Sequence, residues 1–255
     1  MVTGATRKPF GEVNINRATL KTCAEATGTV VVIDVLRAFT TAAFAFDAGA
    51  EAITLVGTVE EALELREAHP DWAAMGEEDG LPLEDFDFGN SPAAFVGQDL
   101  TGRRLVQRTS SGTQGVVRSE QAEHLLATSL CCARATVAYL PRLRPESLTM
   151  VITGSHAGGL GDEDQACADY LEGLIRGAPV DLGRIEDRVR AARAAQKFTD
   201  TERPEFSPVD LEYALDIDRF GFAMVVRQEG EHGVMRPISP CRGWEHGSPG
   251  GSVKQ

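Results

Sequence analysis

The sequence predicts an α/β protein, with a largely parallel or mixed sheet covered by helices on both faces in three layers. Apolar runs rich in β-branched residues alternate with stretches of helical spacing along most of the chain, the pattern that builds such sheets. Glycines stand where helices should end, at Gly49 and Gly177. A length of 255 residues, 42% hydrophobic and 25% charged, is enough for a sizeable core.

In chain order, the expected strands cover residues 29–34, 52–56, 104–107, 124–127 and 148–153. Helical spacing covers 37–49, 59–68, 113–119, 131–140 and 163–176. After Gly177 the charged stretch "RIEDRVRAARAAQ" reads as a surface helix, and a short strand pair follows around 222–226 and 233–238. Residues 1–245 are expected to form one domain, or two α/β halves of about 1–125 and 126–245, with 246–255 a disordered tail. The stretch 76–92, "GEEDGLPLEDFDFGNSP", is too long for a plain connector and has the composition of a functional loop.

Bulk charge excludes some partners. A net charge of −13 without any Lys/Arg-rich run argues against nucleic acid and anionic membrane, but a few arginines or a metal can still attract a small anion. Five cysteines, two of them adjacent at Cys131 and Cys132, do not form a secreted disulfide framework. The apolar runs are too short to span a bilayer and no signal-peptide core follows Arg7 and Lys8, so a cytoplasmic protein is expected. No CxxC pair, no Cys followed by Arg six positions on, no Walker loop and no GxSxG elbow is present, which sets those chemistries aside.

Ligands of open parallel sheets gather past the carboxyl ends of strands, so the polar residues there are the site candidates. Asp34 and Arg37 lie where strand 29–34 gives way to a helix. Asp34 can hold a divalent cation and Arg37 can clamp a phosphate or carboxylate, though the pair also suits a plain helix cap with a surface partner. "TSSGTQG", 109–115, supplies hydroxyls and amides for an oxyanion, or an ordinary capped turn. In the acidic loop Glu77, Asp87 and Asn90 offer oxygen ligands, whereas Glu78, Asp79, Glu84 and Asp85 read as solvated charge. Asp162, Glu163 and Asp164 crowd the start of a helix after "GSHAGGLG"; the helix dipole explains one or two of them, and His156 in that loop can serve as an acid or base.

Together "VVIDVLRAFTTAAFAFDAGA", "GEEDG" with "FDFGNSP", "TSSGT" and "GDEDQACAD" occur in the order and spacing of motifs in the 2-phosphosulfolactate phosphatase family, known from coenzyme M biosynthesis, which this chain resembles from about residue 10 to 238. The resemblance implies a Mg²⁺-dependent acid phosphatase of a small phosphorylated acid, and a homodimer is left open. By motif match it carries over Asp34, Arg37 and Thr41, then Glu77, Asp87, Asn90 and Ser91, then Ser110, Gly112 and Thr113, then Glu163 and Asp164. Two positions depart from the family pattern: Ser111 replaces an Asn in the TTNGT-like loop, and Cys132 stands at another Asn position, in "LCCARATVA". Arg134, beside it, can supply an anion contact in compensation.

The implied roles divide in three. Asp34, Glu77, Glu163 and Asp164 are the expected metal ligands. Arg37, Thr41, Ser91, Ser110, Ser111, Gly112, Thr113 and Arg134 bind substrate, while Asp34, Arg37, Asp87 and Asn90 act in the chemistry. Leu36 occupies the second Asp position of the DxDx[TV] phosphatase pattern, which favours Asp34 as a metal ligand over a covalent nucleophile. Two alternatives stand beside the leading reading: a phosphatase of a different small phosphocarboxylate, and a non-catalytic anion-binding protein.

Overall fold

The computed structural model describes residues 13–155 and 161–240. His156 and the 246–255 tail lie outside them. Ten strands form one mixed, mostly parallel, curled sheet: β1 (Asn14–Thr19), β2 (Gly28–Ile33), β3 (Ala52–Leu55), β4 (Ala73–Gly76), β5 (Phe88–Gly89), β6 (Arg104–Arg108), β7 (Ala122–Thr128), β8 (Ser147–Ile152), β9 (Ala223–Glu229) and β10 (His232–Ile238). Their order across the sheet is β1-β8-β2-β7-β9-β10-β3-β6-β4-β5. The first four run parallel, as do the last four, and the hairpin β9–β10 joins the two blocks by antiparallel pairing on both sides. The block β3 to β6 is therefore an insertion in the chain between β2 and β7, which are themselves neighbours in the other block.

Seven helices accompany the sheet among the described residues: α1 (Ala38–Asp47), α2 (Val59–Ala68), α3 (Gly112–Arg118), α4 (Ala133–Tyr139), α5 (Asp162–Arg176), α6 (Leu182–Ala191) and α7 (Pro208–Ala214). Strand β2 shows why both faces are covered. Val31 and Ile33 join one apolar cluster with α4, α5 and α6, while Val30 and Val32 join another with α1 and α3. Successive side chains of a strand point to opposite faces, so a GTVVVI run with no polar side except Thr29 must be packed on both. The second cluster also takes Ile53, Leu55, Met75 and Leu105 from the inserted block, so the curled sheet wraps one face around α1. Nine of the ten α1 residues are buried, which is why its sequence is apolar all round instead of amphipathic.

Local chemistry fixes the ends. Thr58 and Glu61 form a reciprocal capping box at the start of α2. Gly177 adopts the left-handed conformation that ends α5, as its position in the sequence implied. Strand β1, the short β4 and β5, and helix α7 go beyond the expected elements. Stretch 184–196 is also more than a surface helix, because Ile185, Val189, Ala192 and Ala195 are buried and α6 ends at Ala191. The four described cysteines, Cys23, Cys131, Cys132 and Cys167, are buried free thiols. No described helix is long and apolar enough to cross a membrane.

Candidate functional site

The carboxyl ends of β2, β4, β6 and β8 meet around α1. Gln107 at the end of β6 donates to the Ala38 carbonyl at 2.9 Å, tying the inserted block to the first turn of α1. Gly112 completes the closure: a Cβ there would lie 2.6 Å from Ala38 Cβ and 2.9 Å from Asp34 Oδ2, so only glycine lets α3 start this close to Asp34. A cavity of about 340 Å³ opens over this junction, walled by Asp34, Arg37, Glu77, Asn90, Ser110, Ser111, Glu163 and Asp164 among others. A second cavity, of about 770 Å³, holds none of the expected site residues.

Four buried carboxylates form the floor. Asp164 ties strand ends together: Oδ1 accepts from Val35 N at 2.8 Å and Oδ2 from Gly154 N at 2.8 Å. Glu77 does the same in the other block, with Ser110 N at 2.6 Å on Oε1 and Gly80 N on Oε2. Asp34 commits one oxygen to Ala38 N at 2.9 Å, the first amide of α1, but the N-cap position itself is Arg37, which is buried and not a surface partner. The other Asp34 oxygen is 3.3 Å from the Thr153 hydroxyl, which also lies 2.9 Å from the Ile33 carbonyl. Gly154 leaves room for the fourth acid, since a Cβ there would lie 2.6 Å from Glu163 Oε1.

Burial and mutual repulsion set the protonation of this floor. Desolvation, with the charges of Glu77 and Glu163, pushes the Asp34 carboxyl up to about 7, against the opposing Ala38 amide. Asp164 is raised too, by burial first and then by Glu163 and Asp34. Such a group of acids suits a hard cation. The lining supplies carboxylate and hydroxyl oxygens without a described imidazole or thiol, the donor set Mg²⁺ prefers over Zn²⁺. Among the described residues no group of three or more His, Cys, Asp and Glu is arranged to hold a metal ion by itself.

Arg37 forms the facing wall. Its Nη1 pairs with Asp210 Oδ2 at 2.9 Å and donates to the Glu205 carbonyl at 2.9 Å, and its guanidinium lies 4.6 Å from the Phe206 ring centre and 5.3 Å from that of Phe198. Asp210 is fully buried, and its Oδ1 accepts from Ser91 Oγ at 2.8 Å and Ala93 N at 3.2 Å. One carboxylate thus joins the "DVLRA" segment to the "GNSP" segment. Asp210 lies in none of the motifs quoted from the sequence, and nothing around it singles it out, because its partners Arg37 and Ser91 are 173 and 119 positions away in the chain.

The other expected residues divide by location. Asn90 borders the cavity with a buried Oδ1 that has no hydrogen-bond partner among the described residues, and Ser110 bonds to Glu77 and to the amide of Asp79. Thr41 and Thr113 are buried outside the lining; Thr41 Oγ1 is unpartnered, and Thr113 closes the turn onto Thr109. Asp87 pairs with Arg66 and accepts from Ala74 N, bracing β4 from behind. Arg134 pairs with Asp218 and Tyr170, away from the cavity. Asp79, assigned to solvent from the sequence, instead borders the cavity, as do Thr153, Arg193, Lys197 and Phe206.

A family model described as 2-phosphosulpholactate phosphatase matches residues 15–228. A Bacillus subtilis protein named probable 2-phosphosulfolactate phosphatase is 37% identical over 202 residues, covering 79% of this chain and 88% of the relative. Relatives of the same name from Synechocystis and Deinococcus radiodurans are 33% and 36% identical, each over 64% of this chain and covering 68% and 67% of their own lengths.

Proposed function

The chain belongs to the 2-phosphosulfolactate phosphatase family and is a phosphoric monoester hydrolase, and on that premise we propose that it cleaves 2-phosphosulfolactate to sulfolactate and phosphate with Mg²⁺ as cofactor. The observation that carries the reading is the pairing, across one small cavity, of a buried acid floor with a buried arginine. A phosphate monoester needs its oxygens neutralised and held in line for attack, and these two surfaces divide that task. A step that makes coenzyme M is the corresponding cellular role, and the cytoplasm the corresponding place.

Within this reading Asp34 and Glu163 would hold the cation, with Asp164 and Glu77 fixing the strand ends beneath them. When bound, Mg²⁺ supplies charge neutralisation on phosphoryl oxygens and lowers the pKa of coordinated water. Arg37, stiffened by Asp210 and the two phenyl rings, orients the phosphoryl group from the opposite side. The Ser110 and Ser111 hydroxyls and the Asn90 amide border the space between and orient the remaining oxygens. Arg134 is left with a structural part, held by Asp218.

Phosphate release from 2-phosphosulfolactate, from phosphorylated three-carbon acids and from p-nitrophenyl phosphate, each with Mg²⁺ and with EDTA, tests the proposal. Turnover that requires Mg²⁺ and is fastest on 2-phosphosulfolactate is expected. A faster phosphocarboxylate would reassign the substrate, and turnover undiminished in EDTA would remove the cofactor.

A further inference from the structure

Three cations border the cavity: Arg37, Arg193 and Lys197. Arg37 is neutralised by Asp210, but Arg193 and Lys197 form no ion pair among the described residues. Their neighbours behave differently. Arg188 pairs with Asp169, Arg190 with Glu212 and Arg203 with Glu205, as expected in a chain of net charge −13 where acids are plentiful. Among these neighbours Arg184 shares the lack of an ion pair, but it does not border the cavity, whereas Arg193 and Lys197 do.

Their backbone is anchored. Ala192, Ala195 and Phe198 are buried, so the segment between α6 and α7 is pinned on one side and presents Arg193 and Lys197, four residues apart, on the other. Lys197 Nζ lies 5.3 Å from the centre of the Phe206 ring, and Arg37 Cζ lies 4.6 Å from the same centre. The phosphoryl-holding cation and the unpaired ones therefore border a common wall within reach of a small molecule. A second anionic group on the substrate would be repelled by the acid floor, which leaves this rim as its favourable position.

We propose that Arg193 and Lys197 bind the second, non-reacting anion of the substrate, a sulfonate or carboxylate, and so make the enzyme selective for phosphorylated acids over simple phosphate esters. The inference rests on the cavity being the phosphatase site.

The test compares wild type with the Arg193→Ala/Lys197→Ala double variant on 2-phosphosulfolactate and on p-nitrophenyl phosphate, which has no second anion. Both side chains are exposed, so the fold should tolerate the change. For the acid, kcat/KM should fall at least about 10-fold, chiefly through KM, as loss of charge-assisted contacts implies. For p-nitrophenyl phosphate it should change less than about 2-fold, and Lys197→Arg should retain most of the selectivity. Equal losses on both substrates, or no loss on either, would overturn the proposal. If wild type cleaves neither ester, the phosphatase reading fails separately, and thermal stabilisation by 2-phosphosulfolactate decides the inference. Weaker stabilisation of the double variant supports it; equal or absent stabilisation in the two proteins overturns it.

Discussion

The floor and the wall of the cavity are built in opposite ways. The floor comes from residues that directly follow parallel strands or open a helix, Asp34, Glu77, Glu163 and Asp164, and backbone amides hold its orienting acids, both from nearby turns and from neighbouring strand ends as far away as Val35, 129 positions from Asp164. The wall is assembled at long range: Arg37 reaches Asp210 across 173 positions, and Phe198, Phe206 and Lys197 arrive from a segment with little regular structure. The floor follows from topology, since strand ends must converge there. The wall depends on one buried ion pair and a set of rings.

The largest effect separates chemistry from stability within the floor. Asp34→Asn keeps an oxygen that can accept from Ala38 N yet loses the charge, so activity should drop by at least about 100-fold while the melting temperature stays level or rises. A variant that melts early and loses activity only in proportion to unfolding would place Asp34 in the scaffold alone.

Breaking the wall should do the reverse. Asp210→Ala leaves Arg37 buried without its partner, a change that costs about 3–5 kcal/mol in comparable pairs. Denaturant unfolding checks the stability, and the fraction still folded should show a raised KM because Arg37 is no longer held. Equal stability with unchanged KM would show that the ion pair does not position Arg37.

The junction between the two surfaces can be probed by crowding. Gly112→Ala should cost about 1–3 kcal/mol, as overpacking does, and lower activity by displacing Asp34 or Ala38. Unfolding midpoints and kcat check both parts.

Proton linkage sharpens the same contrast. The Asp34 carboxyl titrates at about 7 in the fold and near 4 in an unfolded chain, so between those values the folded state holds a proton that the unfolded state has released. Stability in EDTA should therefore be greatest below about pH 4 as far as this group is concerned, fall as pH rises through the window, and level off above about 7. Mg²⁺ should stabilise more at pH 8 than at pH 5, and Asp34→Asn should flatten the slope. Melting temperatures across this range provide the check.

The smallest effect is expected outside the site. Arg134→Ala should change KM less than about 2-fold and stability by no more than about 1 kcal/mol, because its pair with Asp218 is partly exposed and faces away from the cavity.

The contrast also explains what the sequence revealed. Buried strands and their following polar residues are local patterns, so β2, β3, β6, β7, β8 and most of the floor could be read from it. β4 and β5 could not, because strands of four and two residues barely show a period. Asp210 resembled any acid early in a helix until Arg37 and Ser91 were placed on its two oxygens. Arg193 and Lys197 resembled ordinary surface charge, since only the topology reveals that they, unlike Arg188 and Arg190, lack an acid and meet the cavity. Asp87 is selected by motif position and Arg134 by its place beside the departure at Cys132, and both side chains lie outside the cavity lining in ion pairs with Arg66 and Asp218.

On the proposed function, floor and wall are two halves of one site, with a cation beneath and a phosphoryl group between. Binding of inorganic phosphate, measured by calorimetry in EDTA and again in saturating Mg²⁺, tests it most directly, because ligands that share a site must alter each other's affinity. Phosphate should bind at least about 10-fold more tightly with Mg²⁺ in wild type, with no such gain in Asp34→Asn. Equal phosphate affinity with and without Mg²⁺ in wild type would contradict it.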